Sequence, residues 1–478
     1  MNTGSRQPLE LACYVAGRPV EGVDRLEIRN PYNNQPVGRV ALATGADTEA
    51  AIQAALAGSP ALTRHQRSAI LDRARQLIEE RREEFAQLIT AESGLCVRET
   101  RYETDRACDV LRFAAMEALR DDGQVISGDI SPQGKARKIF TLREPLALVA
   151  AITPFNHPLN QVAHKVAPAI AAGAPVILKP ATATPLTAIR FAELLYQAGL
   201  PPHYLSVLLG PTEKVAEILV RDPRTELVTF TGGERVGKQI ARTAGYKRLV
   251  LELGGNDPLI ILDDADLELA VTLAAEGAFR NSGQRCTAVK RILVEQSILD
   301  PFTARFVEKA REYVCGDPAD PETRVGTVIS EAAAIHLESV VKTAVAAGAK
   351  VLLGGQRQGA LLEPTVIANV PRDAELVVCE SFGPLAPILP VRDLNDAVQL
   401  ANATSYGLSS GVVTRDLNRA IELVKRLKTG TVNINEVPGY RTENSPFGGV
   451  KDSGLGIKEG VVEVMKCMTM VKIFSLLW

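Results

Sequence analysis

Between residues 47 and 120, apolar residues recur every three or four positions. The stretches TEAAIQAALAG and RHQRSAILDRARQLIEERREEFAQLITAESG carry this spacing, which predicts helices. The second stretch should stop at Ser93-Gly94, because glycine readily takes the left-handed conformation that closes a helix. From about residue 145 the pattern changes. LALVAAITPF, APVILKP, LSVLLG, ELVTFTG and RLVLELGG are short apolar runs rich in β-branched residues. Helical stretches such as LTAIRFAELLYQAG and TEKVAEILVRD separate them. Strands alternating with helices predict parallel βαβ units with both sheet faces covered. Ligands of such sheets sit at the carboxyl ends of the strands.

A second α/β series follows Gly255, with DPLIILDDADLELAVTLAAEGAF, VKRILVE, AKVLLGG, PTVIANV, APILPVRD and GLSSGVVTR. It predicts a second domain facing the first across a cleft. KIFTLREPLALV and the terminal MTMVKIFSLLW fit neither series and read as strands. An apolar strand running to Trp478 would be a hazardous free edge. Pairing with another subunit is the expected remedy, giving a homodimer or homotetramer.

Composition narrows the function classes. The 478 residues suggest two or three domains. With 46% hydrophobic and 23% charged residues, the chain can bury large cores. A formal net charge of −2 gives no electrostatic case for nucleic acid or an anionic membrane. No apolar run approaches the roughly 18–20 residues of a membrane span. MNTGSRQPLELACYV lacks the basic-then-apolar order of a signal segment. The seven cysteines are scattered without CxxC pairs, and the five histidines form no HExxH-like cluster. The expectation is a reduced, cytoplasmic protein without a metal site.

Several segments carry candidate chemistry. FTGGERVGKQIARTAG runs a strand into Gly232-Gly233, with Gly237 opening a helix; such glycines let a diphosphate approach a helix N-terminus. VILKPATATP puts Lys179 at a strand's carboxyl end, where a cofactor ribose or phosphate would lie. NSGQRCTAVKR presents Cys286 after a polar, glycine-containing loop, although most cysteines are inert core residues. LVLELGGND places Glu252 among Val250, Leu251 and Leu253, where a buried carboxylate would resist ionisation and suit a general base. ITPFNHPLNQ supplies Asn156, an amide able to stabilise a developing oxyanion. ESFGPLAP combines Glu380 and Phe382 near a turn.

Taken together, TPFNHP, LKPATATPLTA, FTGGERVG, LELGGNDP, GQRCTA, ESFGPLAP and PFGGVKDSG resemble the aldehyde dehydrogenase superfamily in order and approximate spacing. The resemblance implies an α/β fold with a Rossmann-type cofactor domain (1–120 and 142–252), an α/β catalytic domain (253–432) and β oligomerisation strands (121–141 and 460–478). It makes Cys286 the nucleophile, Glu252 the general base and Asn156 the oxyanion-hole side chain beside the Cys286 N–H. The implied reaction runs through a thiohemiacetal and a thioester. That covalent capture splits a hard oxidation into easier steps. NAD or NADP would be the cofactor. Lys179 would meet the adenosine ribose, Gly232, Gly233 and Gly237 the diphosphate, and Glu380 and Phe382 the nicotinamide ribose. Thr153 and Phe155 would complete that site.

The chain departs from the family at three of these positions. Phe155 stands where many members have Trp, Gly233 where Ser is frequent, and Thr182 where NAD-specific members often have Glu. Thr182 removes the repulsion of a 2′-phosphate, which makes NADP possible. Retention of Cys286, Glu252 and Asn156 together argues against a catalytically dead relative kept for binding or structure.

The resemblance also locates the substrate tunnel, at Arg106, His157, Arg285 and Arg441. Each alone has an ordinary structural reading: Arg106 could bridge Glu103 or Asp105, His157 a backbone group, and Arg441 a surface loop. Three arginines and a histidine converging without a partner would be costly. Arginine's planar fork suits phosphate-like oxyanions. The expected substrate is therefore a small anionic aldehyde. GQRCTAVKR is similar in phosphonoacetaldehyde and non-phosphorylating glyceraldehyde-3-phosphate dehydrogenases. His157 and VPGYRTENSPFGGVKDSGLG lean to the first. Sulfoacetaldehyde, lactaldehyde and succinic semialdehyde are the other candidates.

Overall fold

A computed structural model describes residues 7–22, 24–59, 61–120, 123–457 and 459–478. The N-terminal MNTGSR and the 120/121 domain boundary expected from sequence fall on or against residues outside this set.

Two seven-stranded sheets organise the chain. In the first, Arg248–Glu252, Leu227–Thr231, Val149–Ile152, Val176–Lys179 and Leu205–Val207 lie side by side in that order, all parallel. Tyr14–Val15 and Arg18–Pro19 extend it antiparallel. The register pairs Ile152 with Lys179, and Thr231 with Glu252. The carboxyl ends of four strands are thus level. Buried helices such as Asn160–Ala172 and Leu186–Gln197 cover the sheet, which explains why its strands are apolar on both faces.

The second sheet centres on Asp257–Ile261 and Val289–Glu295, parallel to each other and to Leu385–Val391 and Ser409–Val413. Successive residues serve opposite cores. Leu259 and Ile261 join one hydrophobic cluster and Ile260 the other. Only Lys350–Leu353 runs antiparallel among its described strands. Its two central strands begin next to the ends of the first sheet: Asp257 lies five residues after Glu252, and Val289 three after Cys286. The cleft therefore joins carboxyl ends of one sheet to amino ends of the other.

The helical region differs from expectation in one respect. The long periodic stretch is two helices, Arg64–Glu80 and Arg82–Ser93, broken at Arg81. No glycine or proline marks the break. The Arg81 N–H turns back to the Ile78 carbonyl, which tightens the last turn. The second helix does stop on a left-handed Gly94.

The terminal strand Thr469–Leu477 pairs with Arg137–Pro145 of the same chain, residue for residue, and Phe140 stacks on Phe474. Val125–Ser127 lies on the far side of Arg137–Pro145, so Thr469–Leu477 remains an edge strand with exposed Ile473, Leu476 and Trp478. Strand 137–145 runs past the expected limit of 141. Residues Val461–Cys467 form a helix whose Val461 and Val464 join the first core rather than the arm. No described helix is long and apolar enough to cross a membrane. No cluster of metal-ligating side chains occurs among the described residues.

Candidate active site

The segment before Cys286 is unusual. Asn281, Ser282 and Gly283 are all left-handed, with φ of 57°, 53° and 68°. That conformation disfavours residues with a Cβ and persists only where neighbours enforce it. The enforcing contacts are visible. Asn281 Nδ2 donates to the Asn156 carbonyl at 3.0 Å, and Lys290 Nζ to the Gly283 carbonyl at 2.6 Å. Gln284 Oε1 accepts from the Ile329 N–H at 2.9 Å. A side chain at Gly283 would collide with the Gly383 carbonyl. Cys286 therefore sits on a rigidly held turn.

Cys286, Glu252 and Asn156 share one cavity of about 650 Å³. Burial, and then the charge of Asp257, push the Cys286 thiol up to about 12; Arg441 is the main opposing influence. Asn156 Nδ2 donates to the Gln284 carbonyl at 2.8 Å. A primary amide has two N–H donors, so one remains for an oxyanion. Glu252 is 3% exposed, at the end of its strand, with its carbonyl accepting from the Gly232 N–H.

The same cavity is lined by Thr153, Phe155, Lys179, Gly232, Gly233, Glu380 and Phe382. Its volume falls in the range of cofactor sites. Gly233 caps the helix Glu234–Thr243 without a side-chain bond, and a Cβ there would meet open space. Its first N–H groups are thus available to an anion. Thr153 Oγ1 and Thr231 Oγ1 are buried without hydrogen-bond partners among the described residues. Phe155 and Phe382 meet edge-on at 5.7 Å. Glu380 Oε1 accepts from the Gly255 N–H at 3.0 Å, and its carboxylate packs where a side chain on Gly254 would stand. These features fit a dinucleotide.

Two residues sit differently from expectation. The helix opens at Glu234, so Gly237 lies within it. A Cβ on Gly237 would collide with Leu253, so this glycine brings the helix close to the sheet, and it does not line the cavity. Thr182 is exposed outside the lining, its Oγ1 3.5 Å from Lys179 Nζ. Burial lowers the pKa of Lys179, which has no carboxylate partner among the described residues.

The four expected tunnel residues all lie outside the lining of that cavity, and they differ in their partners. Arg106 is not unpartnered: its Nε donates to Glu443, not to Glu103 or Asp105. His157 Nδ1 faces Glu103 at 3.5 Å rather than a backbone group, while Glu103 also accepts from the N–H groups of Leu159 and Asn160. Arg441 is not adrift on a loop: its guanidinium carbon lies 3.9 Å above the Phe447 ring. Arg285 Nη2 donates to the carbonyls of Glu276 and Gly277, at a helix C-terminus. Burial, with Arg280 nearby, pulls the Arg285 pKa down to about 10. Arg285 Nε and Arg441 Nη1 are buried without hydrogen-bond partners among the described residues. Arg285 lies within electrostatic reach of Cys286 and Arg106, and Arg441 within reach of Cys286.

Sequence reasoning missed the acids that organise these cations. Glu443 meets both Arg106 and His164. Glu459 pairs with fully buried Lys165 at 2.6 Å, and Glu99 with Arg280 at 2.9 Å. Glu443 stands two residues beyond Arg441 in GYRTENSPFGG. A carboxylate that close to a candidate arginine was the available signal.

The sequence profile described as the aldehyde dehydrogenase family matches residues 19–474. A 3-sulfolactaldehyde dehydrogenase from Priestia aryabhattai is 38% identical over 475 residues, 99% of each chain. The crystal structure of aldehyde dehydrogenase 21 from Physcomitrella patens, in complex with the reaction product succinate, superposes with a TM-score of 0.95. It is 38% identical over 98% of this chain and 99% of that one. The NADP-dependent glyceraldehyde-3-phosphate dehydrogenase from Bacillus halodurans C-125, complexed with NADP, also reaches 0.95, with 36% identity over 98% and 99% of the two chains.

Proposed function

Because the chain belongs to the aldehyde dehydrogenase family and is an NAD(P)-dependent enzyme of that family, we propose that it oxidises a short anionic aldehyde, best phosphonoacetaldehyde to phosphonoacetate. One observation carries the choice of an anion. Two guanidinia near Cys286, those of Arg285 and Arg441, each keep a buried nitrogen without a partner, and neither has a carboxylate ion pair among the described residues. A buried guanidinium nitrogen left without an acceptor is costly, and a substrate oxyanion supplies one. Two guanidinia match a phosphonate dianion better than a single negative charge.

The chain's own groups account for the chemistry. Cys286, as thiolate, adds to the carbonyl carbon. The oxygen of the tetrahedral thiohemiacetal takes the free N–H of Asn156 and the Cys286 backbone N–H. Bound NAD(P) supplies the hydride acceptor. Glu252 takes a proton from the water that attacks the thioester, which releases the acid and returns Cys286 as thiolate. Lys179, Gly232, Gly233 and Glu380 hold the cofactor, with Phe155 and Phe382 as its aromatic wall. The open edge of Thr469–Leu477 supports a homodimer or homotetramer.

A sulfonated aldehyde is the second reading, favoured by the 38% identical sulfolactaldehyde relative. A kcat/KM panel separates the two. Phosphonoacetaldehyde should exceed sulfoacetaldehyde, glyceraldehyde-3-phosphate, lactaldehyde, succinic semialdehyde and uncharged propionaldehyde. A preference for propionaldehyde would sink the anionic reading. No NAD(P) reduction with any of the charged aldehydes would sink it as well.

A further inference from the structure

We propose that Glu443 is a positioning residue that aims Arg106 at the substrate's oxyanion, an inference that rests on the anionic-aldehyde reading. Three separate parts of the chain meet at this carboxylate. Arg106 comes from the helix Val97–Ala118, and His164 from the helix Asn160–Ala172. Glu443 and Arg441 come from the segment that precedes Phe447. The Glu443 side chain is 5% exposed. Its Oε1 accepts from Arg106 Nε, and its Oε2 meets Nε2 of the fully buried His164.

The charges at this junction are unequal. Burial opposes ionisation of Glu443, yet His164, Arg106 and Arg441 hold its carboxyl well below the usual range. Burial keeps His164 below its ordinary value despite the adjacent carboxylate. The junction is therefore a carboxylate that meets the Arg106 guanidinium and the His164 imidazole directly, with Arg441 within electrostatic reach. His164 fixes the carboxylate, and the carboxylate fixes the guanidinium.

The atom that Glu443 uses is informative. It takes Nε of Arg106, and no described residue accepts from the two terminal nitrogens. Those are the nitrogens that form the fork suited to phosphonate oxygens. Arg106 also lies within electrostatic reach of Arg285, a like charge in a buried setting. Glu443 offsets that like charge. The carboxylate makes Arg106 tolerable beside Arg285 without consuming its two terminal nitrogens. It also ties the chain segment bearing Arg441 to the helix bearing Arg106, so both arginines share one anchor.

The test measures kcat and KM for phosphonoacetaldehyde and propionaldehyde in wild type, Glu443→Ala and Glu443→Gln. In Glu443→Ala, KM for the phosphonate should rise about tenfold or more, and the phosphonate-to-propionaldehyde ratio of kcat/KM should fall by at least that factor. Glu443→Gln keeps an acceptor of the same shape for Arg106 Nε and should recover most of the ratio. An unchanged ratio in Glu443→Ala, or an equal fall on both substrates, would overturn the proposal. If Glu443→Ala does not fold, Glu443→Asp carries the same test. It retracts the carboxylate by one methylene and should lower the ratio, and an unchanged ratio counts against the role. A wild type that does not prefer the phosphonate defeats the anionic reading itself. An intact preference that Glu443 variants leave unmoved defeats only the role given to Glu443.

Discussion

Arg285 Nη2 donates to the carbonyl oxygen of Gly277 at 2.9 Å. The arginine beside Cys286 is thus oriented by the C-terminal end of the helix Leu267–Phe279, whose carbonyls concentrate partial negative charge. This bond holds the guanidinium through one nitrogen and leaves Nε buried and unpartnered. A group so fixed loses little freedom when an anion arrives, which is the condition for a strong charge-assisted contact.

Arg285→Ala should therefore act mainly on charged substrates. Hydrogen bonds to charged groups contribute roughly 1.5–3 kcal/mol, so kcat/KM for phosphonoacetaldehyde should fall about tenfold to a hundredfold. The value for propionaldehyde should change much less. Steady-state kinetics on the two aldehydes checks this, and a parallel loss on both would remove Arg285 from substrate recognition. Arg285→Lys keeps the charge without the fork and should recover only part of the difference.

The state of the nucleophile gives a pH prediction. Burial, then Asp257, push the Cys286 thiol up to about 12. Because that value lies above the ordinary thiol range, the resting thiol is protonated at neutral pH, and the thiolate fraction grows about tenfold per pH unit as pH rises. Inactivation of the cofactor-free enzyme by iodoacetamide should follow the same slope between about pH 7 and 9. A plateau below pH 8 would mean a thiolate already stabilised at rest. Loss of activity is the proper readout, since Cys379 is exposed and would take label as well.

The parts of the site that were legible in the sequence share a property: each is a local signal. A strand that ends in Lys179, Glu252 or Thr231-Gly232 announces its own carboxyl end, and parallel pairing then levels those ends automatically. Gly94 closes its helix through its own backbone freedom. The Arg81 break was not legible, because no residue there forbids a helix and only the fold's packing selects the turn. Gly237 was misread because a glycine that admits a diphosphate and one that admits a neighbouring leucine look alike in sequence. The pairing of Glu443 with His164 joins residues 279 positions apart, and nothing short of the tertiary arrangement relates them. Sequence named Arg106, His157, Arg285 and Arg441 together but could not show that Arg106 already has a carboxylate.

The Lys179 end of the cavity supports a last prediction, on cofactor choice. Lys179 lines the cavity there, and the hydrogen-bonding neighbour of its Nζ among the described residues is Thr182 at 3.5 Å, an uncharged residue. A 2′-phosphate would meet one ammonium and no carboxylate from these two side chains, so NADP should be accepted alongside NAD. Thr182→Glu would place a negative charge next to Lys179. It would offer the ribose hydroxyls of NAD two acceptor oxygens while opposing a phosphate at the same place. Like-charge juxtaposition of this kind costs enough to discriminate between ligands. The variant should lower kcat/KM for NADP by about tenfold or more relative to NAD, chiefly through KM, with kcat little affected at saturating NAD. Parallel titrations of the two cofactors at fixed aldehyde measure the ratio. If it does not move toward NAD, the 2′ position is not read by the Lys179–Thr182 pair.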